Sequence, residues 1–213
     1  MLMAADAELA ALSFAWLVRP ELIPKSWLMA ATLGVAWFLR NPTAAPLQCG
    51  VNDNALYSPA DGRVMEVRRG PDTTRVTIFL SVFSVHAQYA PCDATVIRQV
   101  HTPGSFCVAY DPCADYNERL VTDLETRDGL PLRMLQITGA VARRTLSFVR
   151  PGEGVKARQR IGFIKFGSRV DLIYPTAAFK TLVCPGQYLN PAETVVARRI
   201  SATPTHRRVS TFA

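Results

Sequence analysis

The chain has 213 residues, which is enough for one globular domain or for one domain with an appendage. Its formal net charge of +7 fits a partner that carries phosphate, such as nucleic acid, an anionic membrane or a phosphorylated small molecule, although a merely basic protein has the same charge. Five scattered cysteines without a CxxC pair, and only three histidines, argue against a structural zinc site and a disulfide framework. We therefore predict free thiols in a reducing compartment.

The first 40 residues predict a membrane-associated leader of two short apolar helices. Two apolar runs, 9–18 and 27–39, are separated by a segment with two helix-breaking prolines. Each run is shorter than the roughly 18–20 residues that span a bilayer, and the first lacks the basic start of a signal peptide. Helices that lie in one leaflet are favoured by the position of the tryptophans, although core helices packed on the globular domain or a tilted, spanning second run are alternatives. All three tryptophans of the chain lie here: Trp16, Trp27 and Trp37.

Residues 41–54 are rich in turn formers and predict a linker, and residues 55–200 predict a mainly β domain with short strands. The segments "RVMEVR" and "RVTIFLSVFSV" predict strands. A hairpin is predicted at 118–139, with its turn at Arg127-Asp128-Gly129. The fold class is therefore mainly β (α+β), a compact β sandwich or barrel preceded by the two helices. The basic residues 201–213 predict a disordered tail.

A weak internal repeat favours a pseudo-symmetric β sandwich. The segments 152–161 and 186–195 share the pattern G-x-x-[VL]-x-x-x-[QE]-x-[IV], in which a glycine turn leads to an apolar residue, a second turn and a strand. This arrangement is similar in style to lipoyl- and biotinyl-type domains. Neither copy offers a lysine at a hairpin tip, which argues against a carrier function.

Five motifs occur in an order that suggests a specific chemistry. Taken singly, four of them have a structural explanation: a proline–glycine turn, a core histidine, a solvated arginine pair and a bulge serine. Together they resemble the phosphatidylserine decarboxylases of the short, bacterial-type form, over about residues 36–197. The motifs are "SPADG", "FxVHxxxAP", "NER", "QITGxVARR" and "GxIKFGSRVD".

The resemblance implies that the chain makes its own pyruvoyl cofactor by cutting the Gly167–Ser168 bond. Ser168 attacks the preceding carbonyl to give an ester, and β-elimination followed by hydrolysis converts the serine into pyruvoyl. Glycine at 167 leaves that carbonyl open to approach. The pyruvoyl carbonyl then forms a Schiff base with the amine of phosphatidylserine, which withdraws electrons as CO2 leaves. The expected products are phosphatidylethanolamine and CO2, and no metal is expected.

The resemblance also implies roles for the other site residues. His86 is the base for Ser168 and the later proton donor, and Asp61 orients the imidazole, as a carboxylate does in Ser-His-Asp triads. Arg143, Arg144 and Arg169 are candidates for binding the lipid phosphate. The chain departs from the family at Gln88-Tyr89, where an Asn-Arg pair is expected, and at Ala192, where glycine is usual; these departures affect headgroup preference more than reaction type.

The expected partners are phosphatidylserine and an anionic membrane surface at the cytoplasmic face of the cell membrane. After cleavage, the two chains 1–167 and 168–213 are expected to associate with each other. A homo-oligomer is possible, and no nucleic acid is expected, because Phe79 and Phe83 lie in an apolar run and are not interleaved with arginine. Two alternatives remain at this stage. One is a decarboxylase of a related amino-acid lipid, and the other is a membrane-bound β module, derived from the enzyme, that no longer processes itself.

Overall fold

The computed structural model describes residues 25–38, 54–140, 145–164 and 168–200. The chain divides into two compact units, 1–40 and 41–213. In the first unit, helix α1 spans Lys25–Phe38, and its residues Trp27, Leu28, Met29 and Leu33 are exposed. This is one of the two predicted helices, because the first apolar run lies outside the described residues. No helix among the described residues has the length and apolar character needed to cross a bilayer.

The second unit is built from short strands, as the sequence predicts. Its strands are β1 (Ala55–Tyr57), β2 (Gly62–Arg69), β3 (Thr73–Leu80), β4 (Ala87–Tyr89), β5 (Ala94–Thr102), β6 (Arg119–Thr126), β7 (Pro131–Ile137), β8 (Thr145–Ser147), β9 (Gly154–Val155), β10 (Arg160–Ile164), β11 (Ser168–Pro175), β12 (Phe179–Thr181), β13 (Tyr188–Leu189) and β14 (Val195–Arg199). A short 3₁₀ helix, Pro112–Tyr116, lies between β5 and β6.

Eight strands form one curled, half-barrel sheet in the order β13-β2-β3-β11-β7-β6-β5-β9. Two three-stranded sheets, β1-β14-β12 and β4-β10-β8, complete the unit. The predicted hairpin is confirmed, since β6 and β7 pair from Arg119↔Ile137 to Glu125↔Pro131. The predicted strand through Val85 is too long: β3 ends at Leu80, and a turn closed by the Ser84 N–H and Ser81 O follows it.

One face of the large sheet carries the hydrophobic core. Successive residues of a strand point to opposite faces, and on β11 the buried Val170, Leu172 and Tyr174 alternate with Arg169, Asp171 and Ile173. The first set packs with Ile78 and Leu80 of β3 in the main core cluster. Ser168 is in phase with this set and therefore points to the core side of the sheet.

The internal repeat is present in the structure as two matching β units. The N–H of Gly152 donates to Val96 O at 2.7 Å, and the N–H of Gly186 donates to Val64 O at 2.8 Å. Both glycines have positive φ, +86° and +87°, and so do Arg158 and Ala192, each six residues later. The partner segments 59–64 and 91–96 also correspond, so that Asp93 stands in one unit where Asp61 stands in the other.

The cysteine prediction is wrong at two positions. Cys107 and Cys113 form a disulfide within the loop between β5 and β6. Asn117 brings this loop together from a fully buried position: its side chain accepts from the Cys107 N–H at 2.7 Å and donates to the carbonyls of Cys107 and Thr138. Cys92 and Cys184 are free thiols. Burial raises the pKa of the Cys92 thiol to about 12, so that this thiol stays protonated.

Candidate active site

Strand register places Ser168 at the end of the large sheet where β2 and β11 begin and β3 ends; this end is called the Ser168 edge. Ser168 pairs with Leu80, the last residue of β3. Phe79 pairs with Arg169 on one side and with Arg63 on the other. Asp61 directly precedes β2. The register therefore brings the "SPADG" and "FGSRVD" motifs to the same edge of the sheet.

Ser168 is fully buried, and its hydroxyl has no hydrogen-bond partner among the described residues. A buried hydroxyl without a partner is costly. Thr77 and Thr145 also carry such hydroxyls, and Ser168 differs from them in its position at the Gly-Ser bond of the motif. Gly167 lies outside the described residues, as do Lys165 and Phe166. The side of the bond that carries the carbonyl is therefore not described, and neither are the predicted phosphate-binding residues Arg143 and Arg144.

His86 lies close in space to the segment that precedes Ser168. Its carbonyl accepts a hydrogen bond from the N–H of Ile164, the last residue of β10, at 3.1 Å. Four peptide steps separate Ile164 from Ser168, which is at most about 14 Å of extended chain. The imidazole is fully buried, with its ring 6.4 Å from that of Phe163.

The hydrogen bond at Nδ1 defines the tautomer of His86. Nδ1 lies 2.8 Å from the carbonyl oxygen of Ser84. A carbonyl only accepts hydrogen bonds, so Nδ1 carries the proton and the neutral ring has its lone pair on Nε2. A ring held in this way has its basic nitrogen on the side away from Ser84.

Asp61 acts on the backbone next to His86. Its Oδ2 accepts from the N–H of Val85 at 2.6 Å, and its Oδ1 accepts from the hydroxyl of Tyr188 at 2.5 Å. The ring is oriented by the hydrogen bond that its Nδ1–H donates to Ser84 O, so contacts through Ser84 and Val85 replace the direct Asp61–imidazole contact of a Ser-His-Asp triad. Tyr188 was not identified from the sequence, because 127 positions separate it from Asp61.

Two buried glutamines support the main chain of His86. The Gln88 amide donates to His86 O at 2.5 Å, and the Gln136 amide donates to Gln88 Oε1 at 2.9 Å. Gly162 leaves room for this pair, since a Cβ there would lie 2.6 Å from Gln136 Nε2. Gln88, the departure from the family pattern, therefore connects the "QITG" motif to the histidine.

Arg169 forms ion pairs on the opposite face of β11 from Ser168. Its guanidinium makes two hydrogen bonds of 2.8 Å to the buried Asp171 and lies 2.7 Å from Asp115. Burial alone lowers the pKa of Arg169, but the hydrogen bonds and charges of these carboxylates raise it above its ordinary value. These contacts favour a structural role for Arg169 over phosphate binding.

Comparison with known proteins gives one consistent family. A family model described as phosphatidylserine decarboxylase matches residues 32–197. A phosphatidylserine decarboxylase proenzyme of Burkholderia mallei is 36% identical over 178 residues, covering 80% of each chain. A proenzyme of the same description from Novosphingobium aromaticivorans is 37% identical over 217 residues, covering 92% of this chain and 82% of its own.

The chain belongs to the phosphatidylserine decarboxylase family. The resemblance carried by the five motifs is thereby confirmed. Proenzymes of this family imply a pyruvoyl group in general, and the residues here fit such a group. Its precursor is a serine whose hydroxyl can act as a nucleophile, and Ser168 has a buried hydroxyl without a partner among the described residues. The family's "GSRVD" motif places this serine at the first position of a strand that is paired on both sides.

Proposed function

We propose that this chain decarboxylates phosphatidylserine to phosphatidylethanolamine and CO2, after cutting itself between Gly167 and Ser168 to form a covalent pyruvoyl group from Ser168. The observation that carries this proposal is the buried, unpartnered hydroxyl of Ser168 at the start of β11, at the same sheet edge as Asp61 and near the loop that holds His86. The family assignment supports the reaction type.

Self-cleavage begins with the Ser168 hydroxyl. Its Oγ attacks the carbonyl carbon of Gly167, the C–N bond of the peptide breaks, and the amine of Ser168 becomes free while an ester forms. Loss of the Ser168 Cα proton and cleavage of its Cβ–Oγ bond release residues 1–167 with a terminal carboxylate. The remaining dehydroalanine becomes an imine, and water replaces its nitrogen to give pyruvoyl and ammonia.

His86 is the proposed base for this sequence. A serine hydroxyl is a weak nucleophile at neutral pH and needs a base to take its proton. The neutral imidazole has its proton on Nδ1, fixed by Ser84 O, so Nε2 is the nitrogen that accepts. Histidine is the side chain whose protonation changes most readily near neutral pH, which suits a group that takes a proton and later returns it.

Asp61 and Tyr188 are the proposed positioning residues for His86. The Asp61 carboxylate holds the Val85 N–H, one residue before His86, and Tyr188 holds the other carboxylate oxygen. A carboxylate near the imidazole also stabilises the charged ring that forms when the proton is taken. Both contacts fix the backbone from Ser84 to His86, which sets the direction of the ring.

The pyruvoyl group supplies an electron-withdrawing carbonyl that accepts the electrons released as CO2 leaves. His86 then delivers a proton to the substrate carbon. The fully buried imidazole keeps this proton transfer away from bulk water.

The two products of cleavage are proposed to stay together as one protein. Strand β11, at the start of the smaller chain, pairs with β3 along eight residues and with β7 along five. Strands β13 and β14 of the same chain pair with β2 and β1. The cut therefore frees the end of a central strand without releasing the strand from the sheet.

Membrane association is also part of the proposal. The apolar helix α1 exposes Trp27, Leu28 and Met29, which favours contact with lipid. The leader 1–40 is proposed to bind the anionic cytoplasmic face of the cell membrane, with Arg143 and Arg144 as candidates for contact with the lipid phosphate.

The proposed function is tested with the purified full-length chain and vesicles that contain phosphatidylserine. We expect phosphatidylethanolamine to form with the wild type and no product to form with Ser168→Ala, because alanine has no hydroxyl to attack with. Ser201→Ala, in the tail outside the described residues, is the matched control and should retain full activity. A processed wild type that leaves phosphatidylserine unchanged but decarboxylates a related amino-acid lipid would favour that alternative.

A further inference from the structure

Exposed aromatic side chains are concentrated at one end of the β unit. Six aromatic residues are exposed among the described residues from 54 to 200, and five of them lie in the loops at the Ser168 edge or on β13 beside it. The exception is Phe148, whose ring is covered by the Arg160 guanidinium at 4.6 Å. The five are Phe83, Phe106, Tyr110, Tyr116 and Tyr188.

The turn after β3 presents two apolar side chains at its tip. The Ser84 N–H donates to Ser81 O at 3.0 Å, which leaves Val82 and Phe83 as the two central residues. They are 49% and 71% exposed. Central turn positions usually carry polar residues or glycine, so two adjacent hydrophobic residues here require a reason beyond the turn itself. The turn is followed directly by Ser84, whose carbonyl orients the imidazole of His86.

The loop between β5 and β6 presents a second group of apolar side chains. Phe106, Val108, Tyr110 and Tyr116 are exposed, while the buried Asn117 and the disulfide close the loop behind them. The loop therefore carries exposed hydrophobic residues on a constrained backbone, so little entropy is lost when they are buried against another surface.

Two contacts hold the loop between β5 and β6 at the Ser168 edge. The ring of Tyr110 lies 5.9 Å from the ring of Phe79, which is next to the residue that pairs with Ser168. Asp115 of the same loop binds Arg169, the residue after Ser168. These two contacts place the loop beside the end of β3, from which the Val82-Phe83 turn continues. The aromatic rim is defined here as Val82, Phe83, Phe106, Val108, Tyr110 and Tyr116.

We propose that the aromatic rim docks the Ser168 edge onto the surface of a phospholipid bilayer; the proposal rests on the proposed function. Phe, Tyr and Val suit the boundary between headgroups and acyl chains, where a ring is buried while a hydroxyl stays hydrated. A lipid substrate presents its headgroup at that boundary. The rim lies along the edge that holds Ser168, and its Val82-Phe83 turn continues directly to His86, so a bilayer is the occupant that brings substrate to the site.

The rim adds a second membrane contact to that of the leader, with a different purpose. A leader increases the concentration of the enzyme at the membrane, whereas the rim sets which face of the β unit meets the lipid. Removing the rim is therefore expected to weaken use of lipid in bilayers while leaving the chemistry intact.

The test compares the full-length double variant Val82→Ser/Phe83→Ser with the control Leu182→Ser/Ile200→Ser. The control residues are also exposed hydrophobic residues, at 45% and 46%, and neither belongs to the rim. Ile200 follows Arg199, which pairs with Asp128 in the turn between β6 and β7. The probes are vesicles of phosphatidylcholine with phosphatidylserine, and monomeric dihexanoyl phosphatidylserine as a dispersed substrate.

We expect the rim variant to bind vesicles at least about tenfold more weakly in a sedimentation assay, as the loss of a buried Phe and Val predicts. Its kcat/KM should fall by a similar factor on vesicles and stay within about twofold of wild type on the dispersed lipid. The control should match wild type in both assays. If the double variant is misfolded by circular dichroism, Tyr116→Ser on the second loop replaces it, since that side chain is 77% exposed.

Three results would overturn the proposal. Unchanged vesicle binding would show that the rim does not contact lipid. Equal losses on vesicles and on dispersed lipid would show that the turn serves the chemistry alone. A wild type that is a dimer and a rim variant that is a monomer in analytical ultracentrifugation would show that a second copy of the chain covers the rim. A wild type that binds vesicles through the rim but never decarboxylates phosphatidylserine would instead contradict the proposed function, so the two failures are distinct.

Discussion

The Tyr188 hydroxyl donates a hydrogen bond of 2.5 Å to the Asp61 carboxylate, although the two residues lie on opposite sides of the proposed cleavage point. Asp61 belongs to the segment before Ser168, and Tyr188 belongs to the segment after it. The contact therefore persists after cleavage only if the two chains stay assembled. It also couples β13 to the Val85 N–H, and through Val85 to His86.

Tyr188→Phe is predicted to slow self-cleavage without unfolding the protein. The phenylalanine keeps the ring but removes the donor to Asp61, and a hydrogen bond to a charged group contributes about 1.5–3 kcal/mol. We expect maturation to slow by roughly tenfold, measured as loss of full-length chain on a denaturing gel over time. Tyr116→Phe is the matched control, because its side chain is 77% exposed. If Tyr188→Phe matured at the wild-type rate, Tyr188 would have no positioning role.

His86→Ala is predicted to accumulate as the full-length precursor. General-base assistance is typically worth a factor of about 10²–10⁴ in rate, so cleavage should slow by that order. His101→Ala is the control, since His101 lies on the surface 3.0 Å from Glu118 and should mature normally.

A thermal melt of each histidine variant distinguishes lost chemistry from lost folding. His86→Gln serves if His86→Ala is unstable, because it fills more of the buried space. The assignment of His86 as the base would be wrong if His86→Ala matured at the wild-type rate while His101→Ala stalled.

Asp93→Asn is predicted to destabilise the fold near neutral pH, and the loss of stability is predicted to be smaller in acid. Burial alone raises the pKa of Asp93, but the hydrogen bond from the Ala157 N–H and the charges of Lys156 and Arg127 lower it below its usual value. A carboxylate with a lowered folded pKa stabilises the fold above its unfolded pKa of about 4, and this stability is lost as the pH falls through the folded pKa.

The measurement for Asp93 is the urea midpoint of wild type and variant at neutral pH and at a pH near 4. We expect a loss of about 1 kcal/mol at neutral pH, typical of one hydrogen bond, and a smaller difference in acid. Asp72→Asn, on the exposed turn between β2 and β3, should change neither midpoint. A difference that grows in acid would contradict the sign of this pKa shift.

Cleavage is predicted to leave the protein assembled. Because β11 is paired on both sides, residues 1–167 and 168–213 should elute together from a native sizing column and separate only in denaturant. Elution of the smaller chain on its own under native conditions would contradict the described position of β11.

Local sequence signals predicted the strands, the β6–β7 hairpin and the repeat, because each depends on turn residues and alternation over a few positions. Gly152 and Gly186 both adopt positive φ at the repeated turn, which explains why glycine stands at both positions. The motif residues Asp61 and Ser168 were also identified, and the family resemblance implied that they belong to one site, which spacing alone did not. Their meeting at one sheet edge follows from the β2-β3-β11 register, which was not predicted.

The contacts that the sequence did not predict are ones that no local residue pattern reports. The Cys107–Cys113 disulfide depends on a loop that the buried Asn117 brings together, and neither cysteine belongs to a recognised spacing. Ser84 holds His86 through a main-chain carbonyl, which any residue type carries, so no sequence pattern reports it. The role of Gln88 in supporting His86 O depends on Gln136, 48 positions away.

The most direct test of the central claim is the intact mass of the purified full-length chain under denaturing conditions. Self-cleavage at Gly167–Ser168 predicts two species, residues 1–167 with a free carboxylate and residues 168–213 with pyruvoyl in place of serine. The second should be lighter, by the mass of one ammonia, than the same fragment with an amino-terminal serine. A preparation that decarboxylates phosphatidylserine while showing only the uncut chain, or a fragment that retains its serine, would contradict the account.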